Sequence, residues 1–206
     1  MPIPAKKRKA AWEDMMKQSI FEATVTVIKE YGPAGIRMDR VAKAAEMATG
    51  TLYNYFKDKD ALLLHVIDTL LVPYHEELLN VVAGDMSPPD KLGAYFRLTF
   101  RYLNEQRDII SILIQGKDLV LKPEIGRAPE VDYVMMVIRL ICEIIKEGIT
   151  EGVFRECDAL EAAAMIFGAM DGFIESKITG LVPEKPVEED VKSCMSLILP
   201  GLLAAS

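Results

Sequence analysis

Apolar residues recur three or four positions apart along almost the whole chain of 206 residues. This spacing places them on one face of an α-helix, and no run alternates over the length of a β-strand. The first periodic segment begins near residue 12 and ends at Tyr31-Gly32-Pro33, because glycine and proline stop a helix. The sequence therefore predicts an all-α fold of about nine helices, in which three short helices precede a larger helical bundle.

The same breaks predict the position of each helix. Asp58 or Asp60 can cap a long fourth helix, and Pro73 should kink or divide it because proline removes a backbone donor. The remaining predicted helices span about 12–31, 38–45, 49–56, 90–106, 108–122, 130–151, 158–179 and 187–205.

Cysteine usage and the N-terminal residues indicate the compartment. Cys142, Cys157 and Cys194 are odd in number and widely spaced, which argues against a disulfide framework and favours a reducing cytosol. The basic run Lys6–Lys9 is followed by polar residues where a signal peptide needs an apolar stretch. The apolar segment at 134–145 is too short to span a bilayer. We therefore expect a cytoplasmic protein without membrane contact.

The charge is distributed unevenly. Residues 1–60 contain 11 Lys and Arg against 8 Asp and Glu, which gives +3, while residues 61–206 carry −10 and the whole chain −7. A basic N-terminal quarter on an acidic body suggests that only the first segment could bind a polyanion. An imbalance of this size is also common on an ordinary solvated surface.

The predicted helices at 38–45 and 49–56 are joined by a tight turn at Glu46-Met47-Ala48, which is the helix-turn-helix pattern. Leu52 and Phe56 would face inward, so the second helix presents hydroxyl, amide and ammonium groups outward. Such groups bind phosphates and base edges, and a helix of this size fits a major groove. The alternative is a purely structural motif whose aromatic residues only pack, as in a helical ligand carrier or protein-interaction module.

The stretch GIRMDRVAKAAEMATGTLYNYFKDKDALL resembles the DNA-binding domain of the TetR family of transcriptional repressors. The resemblance runs from about Lys17 to Leu63, and beyond residue 65 it concerns architecture only. It implies a homodimeric repressor that binds a palindromic operator in double-stranded DNA and is released by a small apolar or amphipathic effector. It places these residues at the DNA: Arg37, Thr49, Gly50, Thr51, Tyr53, Asn54, Tyr55, Lys57 and Lys59.

The resemblance also divides the chain. It implies a flexible basic arm at 1–11, a helix-turn-helix domain at 12–60 and a C-terminal helical bundle for ligand binding and dimerisation at 61–206. The arm, with Lys6–Lys9, would contact phosphates or the minor groove, and a disordered solubilising tail is an equal alternative.

Three positions depart from the family pattern. Arg37 and Ala48 stand where the family usually has a capping Ser or Thr, and each lost cap costs about 1 kcal/mol. Glu46 stands where glycine is usual, so it should occupy a strained turn conformation.

The sequence contains no catalytic or metal-binding pattern. His75-Glu76 lacks a second zinc ligand because position 79 is leucine, and no cysteine pair has zinc spacing. Phosphate loops, dinucleotide glycine patterns and nucleophile elbows are also missing. We therefore expect no enzymatic activity, no cofactor and no metal, and interpret His75 as a surface or core residue of a helix.

Residues 133–146 are apolar around almost the whole helical circumference, which predicts burial on every side. Met and Phe in this part of the chain suit the wall of an apolar pocket, and they are equally ordinary core residues. Arg139 could bind a ligand carboxylate, but a salt bridge to Glu143 is the favoured interpretation. With the family in mind, the candidate pocket residues are Phe96, Phe100, Met135, Met136, Arg139 and Phe167.

The last two predicted helices carry a candidate dimer interface. Ala164, Gly168 and Gly172 form a smooth row four residues apart, although a solvent-facing glycine in a helix costs up to about 1 kcal/mol against alanine. An apolar seam on the last helix would complete a four-helix interface with two-fold symmetry. Its residues are Val191, Met195, Ile198 and Leu202.

Overall fold

The computed structural model describes residues 5–107, 110–111 and 133–204. Within these ranges the regular structure is helical, and a single β-bridge joins Phe154 to Leu203. The predicted all-α fold is confirmed, while the helix predicted at 108–122 lies outside the described residues except for 110–111. The α-helices are α1 (Ala5–Tyr31), α2 (Met38–Ala44), α3 (Thr49–Tyr55), α4 (Lys59–Ala83), α5 (Pro88–Glu105), α6 (Tyr133–Thr150), α7 (Ala159–Ile178) and α8 (Val187–Leu202).

Helix α1 begins earlier than the apolar pattern predicts. Its helical backbone starts at Ala5, so the start expected at residue 12 is wrong and Lys7, Arg8 and Lys9 lie exposed on its first turns. Alanine, lysine and arginine are strong helix formers, and Lys9 pairs with Glu13 one turn later at 3.8 Å. Helix propensity therefore extends α1 beyond the residues that pack.

The described residues form two compact units, 5–70 with 110–111 and 71–107 with 133–204. In the first unit, α1, α2, α3 and the start of α4 surround one apolar core. Ile20, Val41, Leu52 and Leu62 are fully buried there. Packing against this core fixes the positions of α2 and α3 relative to α1 and the start of α4.

The turn between α2 and α3 has the strain that its sequence predicts. Glu46 adopts a φ of 53°, in the left-handed region that favours glycine. Arg37 and Ala48 occupy the N-cap positions of α2 and α3, and neither makes a side-chain capping hydrogen bond. The predictions about all three departures are confirmed.

Pro73 does not divide α4, which continues from Lys59 to Ala83. Its first turn is capped by Asp58, whose Oδ1 accepts a hydrogen bond from the Ala61 N–H at 2.8 Å. On either side of the proline, Leu70, Tyr74 and Leu78 are buried, so packing offsets the lost backbone hydrogen bond. None of the described helices is both long and apolar enough to cross a membrane.

In the second unit, α5 packs against α6 and α8, and α6 packs against α7. Asp158 begins α7 by accepting hydrogen bonds from the N–H groups of Leu160 and Glu161 at 2.9 Å. Gly148 of α6 must lack a side chain, because a Cβ there would lie 2.1 Å from the buried ring of Phe154. The largest fully buried side chains of this unit are Leu78, Leu92, Tyr95, Phe96, Phe100, Leu103 and Ile141.

Candidate DNA-binding surface and effector site

Helix α3 has one face in the core and one in solvent. Leu52 is fully buried, and Phe56 directly after the helix is 6% exposed. Thr49, Gly50, Tyr53 and Asn54 are exposed, with Tyr53 at 50%. Thr51 and Tyr55 are half-buried, and Tyr55 packs against the first core. The outward polar face expected from the sequence therefore exists, while Tyr55 also serves the packing of the unit.

Gly50 lies on this exposed face and has open space around it. A Cβ built at Gly50 meets no atom within 4 Å, so the chain itself gives no packing reason for glycine. Glycine inside a helix costs about 1 kcal/mol relative to alanine. Close approach of another molecule is a reason that fits this position.

Three of the predicted DNA contacts are cations at the ends of the helix-turn-helix, two after α3 and one before α2. Lys57 and Lys59 are exposed just beyond the helix, and Lys57 Nζ lies 3.7 Å from the Asp58 carboxylate. Arg37 donates two hydrogen bonds of 3.1 Å to Asp39. Desolvation acts against this, but the hydrogen bond and charge of Arg37 hold the pKa of Asp39 below its ordinary value. Exposed ion pairs of this kind are weak, so a phosphate can replace the carboxylate as the partner of Arg37.

The predicted pocket residues do not lie in one environment. Phe96 and Phe100 are fully buried, Met135 and Phe167 are half-buried, and Arg139 is exposed. Met136 is half-buried as well. The six side chains therefore do not form one wall: two belong to the core of the second unit, and Arg139 lies on the outer side of α6.

A surface hollow of about 420 Å³ opens between α6 and the start of α7. It contains Met135 and Arg139 from the predicted set, and its other residues were not predicted. They are Cys142, Glu143, Lys146, Asp158, Ala159 and Leu160.

The salt bridge predicted between Arg139 and Glu143 is wrong. Glu143 instead accepts a hydrogen bond of 2.8 Å from Lys146, three residues further along α6. Side chains three and four residues apart on a helix can both reach the same carboxylate, and here Lys146, three residues from Glu143, binds it.

The sequence predicts no ligand-binding or catalytic role for His75. Its side chain is buried, and within the described part of the chain neither ring nitrogen has a hydrogen-bond partner. The ring stacks on Tyr133 at 4.7 Å between centroids, and burial lowers the pKa of His75 to about 4. The sequence does indicate that His75 is buried, because the apolar residues Tyr74 and Leu78 form the buried face of α4 and residue 75 lies beside that face.

The predicted dimer residues separate into two groups. Ala164, Gly168 and Gly172 are exposed on α7, and a Cβ at either glycine meets nothing within 4 Å. Met165 beside them is 75% exposed. This row is therefore available to a second molecule.

The seam predicted on α8 is wrong for Val191 and Leu202, which are buried within their own chain at 5% and 6% exposure. Met195 and Ile198 are half-buried, and Met195 Cε lies 3.9 Å from the position of a Cβ on Gly93 of α5. The seam packs on α5 of the same chain. An apolar stripe on a helix predicts burial, but it does not show which surface covers the stripe. The large apolar side chain that α8 exposes most is Leu197, at 82%.

Comparison with known proteins follows the same two-part division. The sequence pattern of bacterial regulatory proteins of the tetR family matches residues 20–66. The pattern of the tetracyclin repressor-like C-terminal domain matches residues 128–195. A fatty acid metabolism regulator protein of Bacillus subtilis (strain 168) is 26% identical over 156 residues, which are 74% of this chain and 78% of that protein.

Solved structures agree with the fold. A candidate fatty acid metabolism regulator from Clostridium perfringens is 28% identical with a TM-score of 0.70, covering 91% of this chain and 100% of its own. The transcriptional regulator FadR from Bacillus subtilis, solved in complex with stearoyl-CoA, has a TM-score of 0.74 at 22% identity and covers 89% of this chain and 98% of its own. The family expected from the helix-turn-helix residues is thus confirmed: the chain belongs to the tetR family of bacterial regulatory proteins and is a DNA-binding transcriptional regulator.

Proposed function

We propose that this regulator is a cytoplasmic homodimeric repressor that reads a palindromic operator with α3 and leaves it when a long-chain acyl effector binds the second unit. The observation that carries the proposal is the outward face of α3, where Tyr53 and Asn54 are exposed while Leu52 is fully buried. A purely structural helix would have no use for this concentration of exposed hydrogen-bonding groups.

The roles of the individual residues follow from their chemistry. Asn54 can bind an adenine edge through its amide, and Tyr53 and Thr49 can reach base edges or sugar-phosphate oxygens with their hydroxyls. Lys57, Lys59 and Arg37 would bind phosphates, which gives affinity without sequence preference. Gly50 would let the DNA backbone approach α3 closely.

The class of effector is supported by the relatives. Two are named for fatty acid metabolism, and FadR from Bacillus subtilis was solved with stearoyl-CoA. In this chain the second unit offers half-buried Met135, Met136 and Phe167, which are adaptable apolar side chains. A fatty acyl chain is the natural partner of such surface.

Dimerisation would use the exposed row of α7. Ala164, Gly168 and Gly172 allow a second helix to approach closely, and Met165 and Leu197 add apolar area that a monomer would expose to water. A two-fold dimer places two copies of α3 on one face of DNA when their centres are about 34–36 Å apart or a multiple of that distance.

The operator is found by selecting bound sequences from a random DNA pool, and variants are then compared by mobility shift at stated salt. Tyr53→Ala and Asn54→Ala should abolish specific binding and keep the helical circular-dichroism signal. Asn104→Ala, an exposed asparagine on α5, is the matched control and should bind as the parent does. Parent-like operator binding by both α3 variants would refute the recognition surface.

The effector is tested by adding stearoyl-CoA or stearate to the operator complex. Release by at least one acyl probe is expected, and calorimetry should show that saturating operator weakens probe binding by the same factor that the probe weakens operator binding. An operator complex that neither probe disturbs would refute the acyl effector and leave the DNA-binding assignment intact.

A further inference from the structure

His75 lies in the second unit, in the part of α4 that follows Pro73, and is only 4% exposed. Both of its ring nitrogens are buried and, among the residues that the structure describes, neither has a hydrogen-bond partner. At His65, the other histidine, only Nε2 is a buried nitrogen without a partner. Buried polar atoms in native proteins nearly always have a partner, so His75 requires an explanation.

The aromatic neighbours of His75 hold its ring in place and leave its nitrogens unpaired. The ring lies parallel to Tyr133, with a tilt of 10° and 4.7 Å between centroids, and Tyr74 contacts it edge-on at 5.6 Å. These contacts fix the orientation of the imidazole ring. Tyr133 covers one face of the ring, whereas the two nitrogens would form hydrogen bonds in the plane of the ring. The ring is therefore preorganised to form hydrogen bonds.

The Tyr74 hydroxyl, which belongs to the ring that contacts His75 edge-on, already has a hydrogen-bond partner. The Thr99 hydroxyl donates its hydrogen bond to the carbonyl oxygen of Tyr95, at 2.8 Å. The Tyr74 hydroxyl must therefore donate its proton to Thr99 Oγ1, which lies 3.0 Å away. Burial raises the pKa of Tyr74 to about 12, so this proton stays in place at physiological pH.

The state of the ring selects the chemistry of a partner. Burial alone lowers the pKa of His75 to about 4, so near neutral pH the ring is uncharged, with one N–H donor and one acceptor. An uncharged donor among aromatic rings suits an uncharged oxygen, because a buried carboxylate needs a cation or several donors. The carbonyl of an acyl thioester or ester meets this requirement, and a free fatty acid anion does not.

We infer that His75 donates a hydrogen bond to the carbonyl oxygen of the acyl effector and so positions the head of the acyl chain within the second unit. The inference rests on the proposed acyl effector. It adds the residue that binds the head and a preference for an acyl thioester over a free fatty acid.

The experiment uses the full-length protein and calorimetry with stearoyl-CoA and with stearate at pH 7. His75→Phe keeps an aromatic ring against Tyr133 and removes both nitrogens, and it should weaken stearoyl-CoA binding about tenfold or more, the loss expected for an unmet buried acceptor. His75→Gln retains a donor and should recover part of the affinity. His65→Phe is the matched control in the first unit and should bind stearoyl-CoA as the parent does.

A structural role for His75 predicts different results. Without ligand, His75→Phe should melt at the same temperature as the parent or higher, because two unmet polar atoms disappear. In the parent labelled with ¹⁵N-histidine, stearoyl-CoA should shift the His75 ring signals and leave those of His65 in place, a readout that needs no variant.

The outcomes separate the two proposals. Parent-like affinity of His75→Phe, or unmoved His75 signals, while the parent still responds to stearoyl-CoA would overturn the role of His75 and keep the acyl effector. Tighter binding of stearate than of stearoyl-CoA would overturn the thioester preference. A parent that binds neither probe would overturn the effector and this inference together.

Discussion

The ion pair between Lys177 of α7 and Asp190 of α8 offers a sharp test of how the second unit is held together. Lys177 Nζ lies 2.7 Å from Asp190 Oδ2, and both side chains are 5% exposed. The same nitrogen is 3.4 Å from the carbonyl oxygen of Pro183 and 5.3 Å from the centre of the Phe173 ring. The pair thus connects the two helices that expose Met165 and Leu197.

The magnitude follows from the distance and the burial. At 2.7 Å and an effective dielectric constant of about 20, the Coulomb attraction is about 6 kcal/mol. Removing two charges from water costs several kcal/mol for each, so the net contribution of the intact pair is small. Breaking the pair by removing one partner leaves an uncompensated buried charge, and such changes cost about 3–5 kcal/mol.

We therefore expect Asp190→Asn and Lys177→Met each to lower the free energy of unfolding by about 3–5 kcal/mol. The double variant Lys177→Met with Asp190→Leu should lose less than either single variant, because no buried charge remains. Urea unfolding at pH 7 followed by circular dichroism measures all three, at one fixed protein concentration because the stability of the proposed dimer would depend on that concentration.

The matched control is the exposed pair of Arg97 and Glu188, which joins α5 to α8 with hydrogen bonds of 2.7 and 3.0 Å. Solvent screens this pair, so Glu188→Gln should cost far less than Asp190→Asn despite equally good geometry. Equal losses in these two variants, or additive losses in the double variant, would refute the reasoning.

Three further predictions concern the turn, the phosphate contacts and the dimer. Glu46→Gly should stabilise the protein by about 1 kcal/mol because glycine adopts the left-handed conformation without a Cβ clash; a lowered melting temperature would contradict this. Lys57→Ala should weaken binding to every DNA sequence alike and reduce the slope of log affinity against log salt by about one; mobility shifts at several salt concentrations measure it, and a loss confined to the operator would contradict it. Gly168→Leu with Gly172→Leu should give monomers in sedimentation that fail to bind the operator, and a dimeric double variant that still binds would refute the α7 interface.

The fold and the outward polar face of α3 could be predicted because their signals are local. Helical spacing of apolar residues identified the helices, and the inward positions of Leu52 and Phe56 fixed which face of α3 is outward. The strain at Glu46 followed from one residue standing at a position that demands φ > 0. Each of these inferences needs only a few neighbouring residues, so the sequence contains all of the required information.

The less successful predictions depended on partners that are distant in sequence. The apolar stripe on α8 predicts that Val191 and Leu202 contact a second molecule, but the surface that buries them belongs to their own chain. Arg139 was paired with Glu143 by spacing alone, although Lys146 competes for the same carboxylate. The environment of His75 could not be predicted, because Tyr133, which stacks on its ring, lies 58 residues away in the sequence.

The energetics of the first unit also bear on its function. Helices α2 and α3 have seven residues each and lack side-chain caps, and a helix this short is unstable on its own in water. Their stability must therefore come from burial of Val41, Leu52 and Phe56 in the core shared with α1 and the start of α4. Because packing rather than local preference positions α3, the proposed recognition helix, α3 should follow a displacement of the helices that pack against it in the first unit. A self-stabilised α3 with strong caps would respond less to the same displacement.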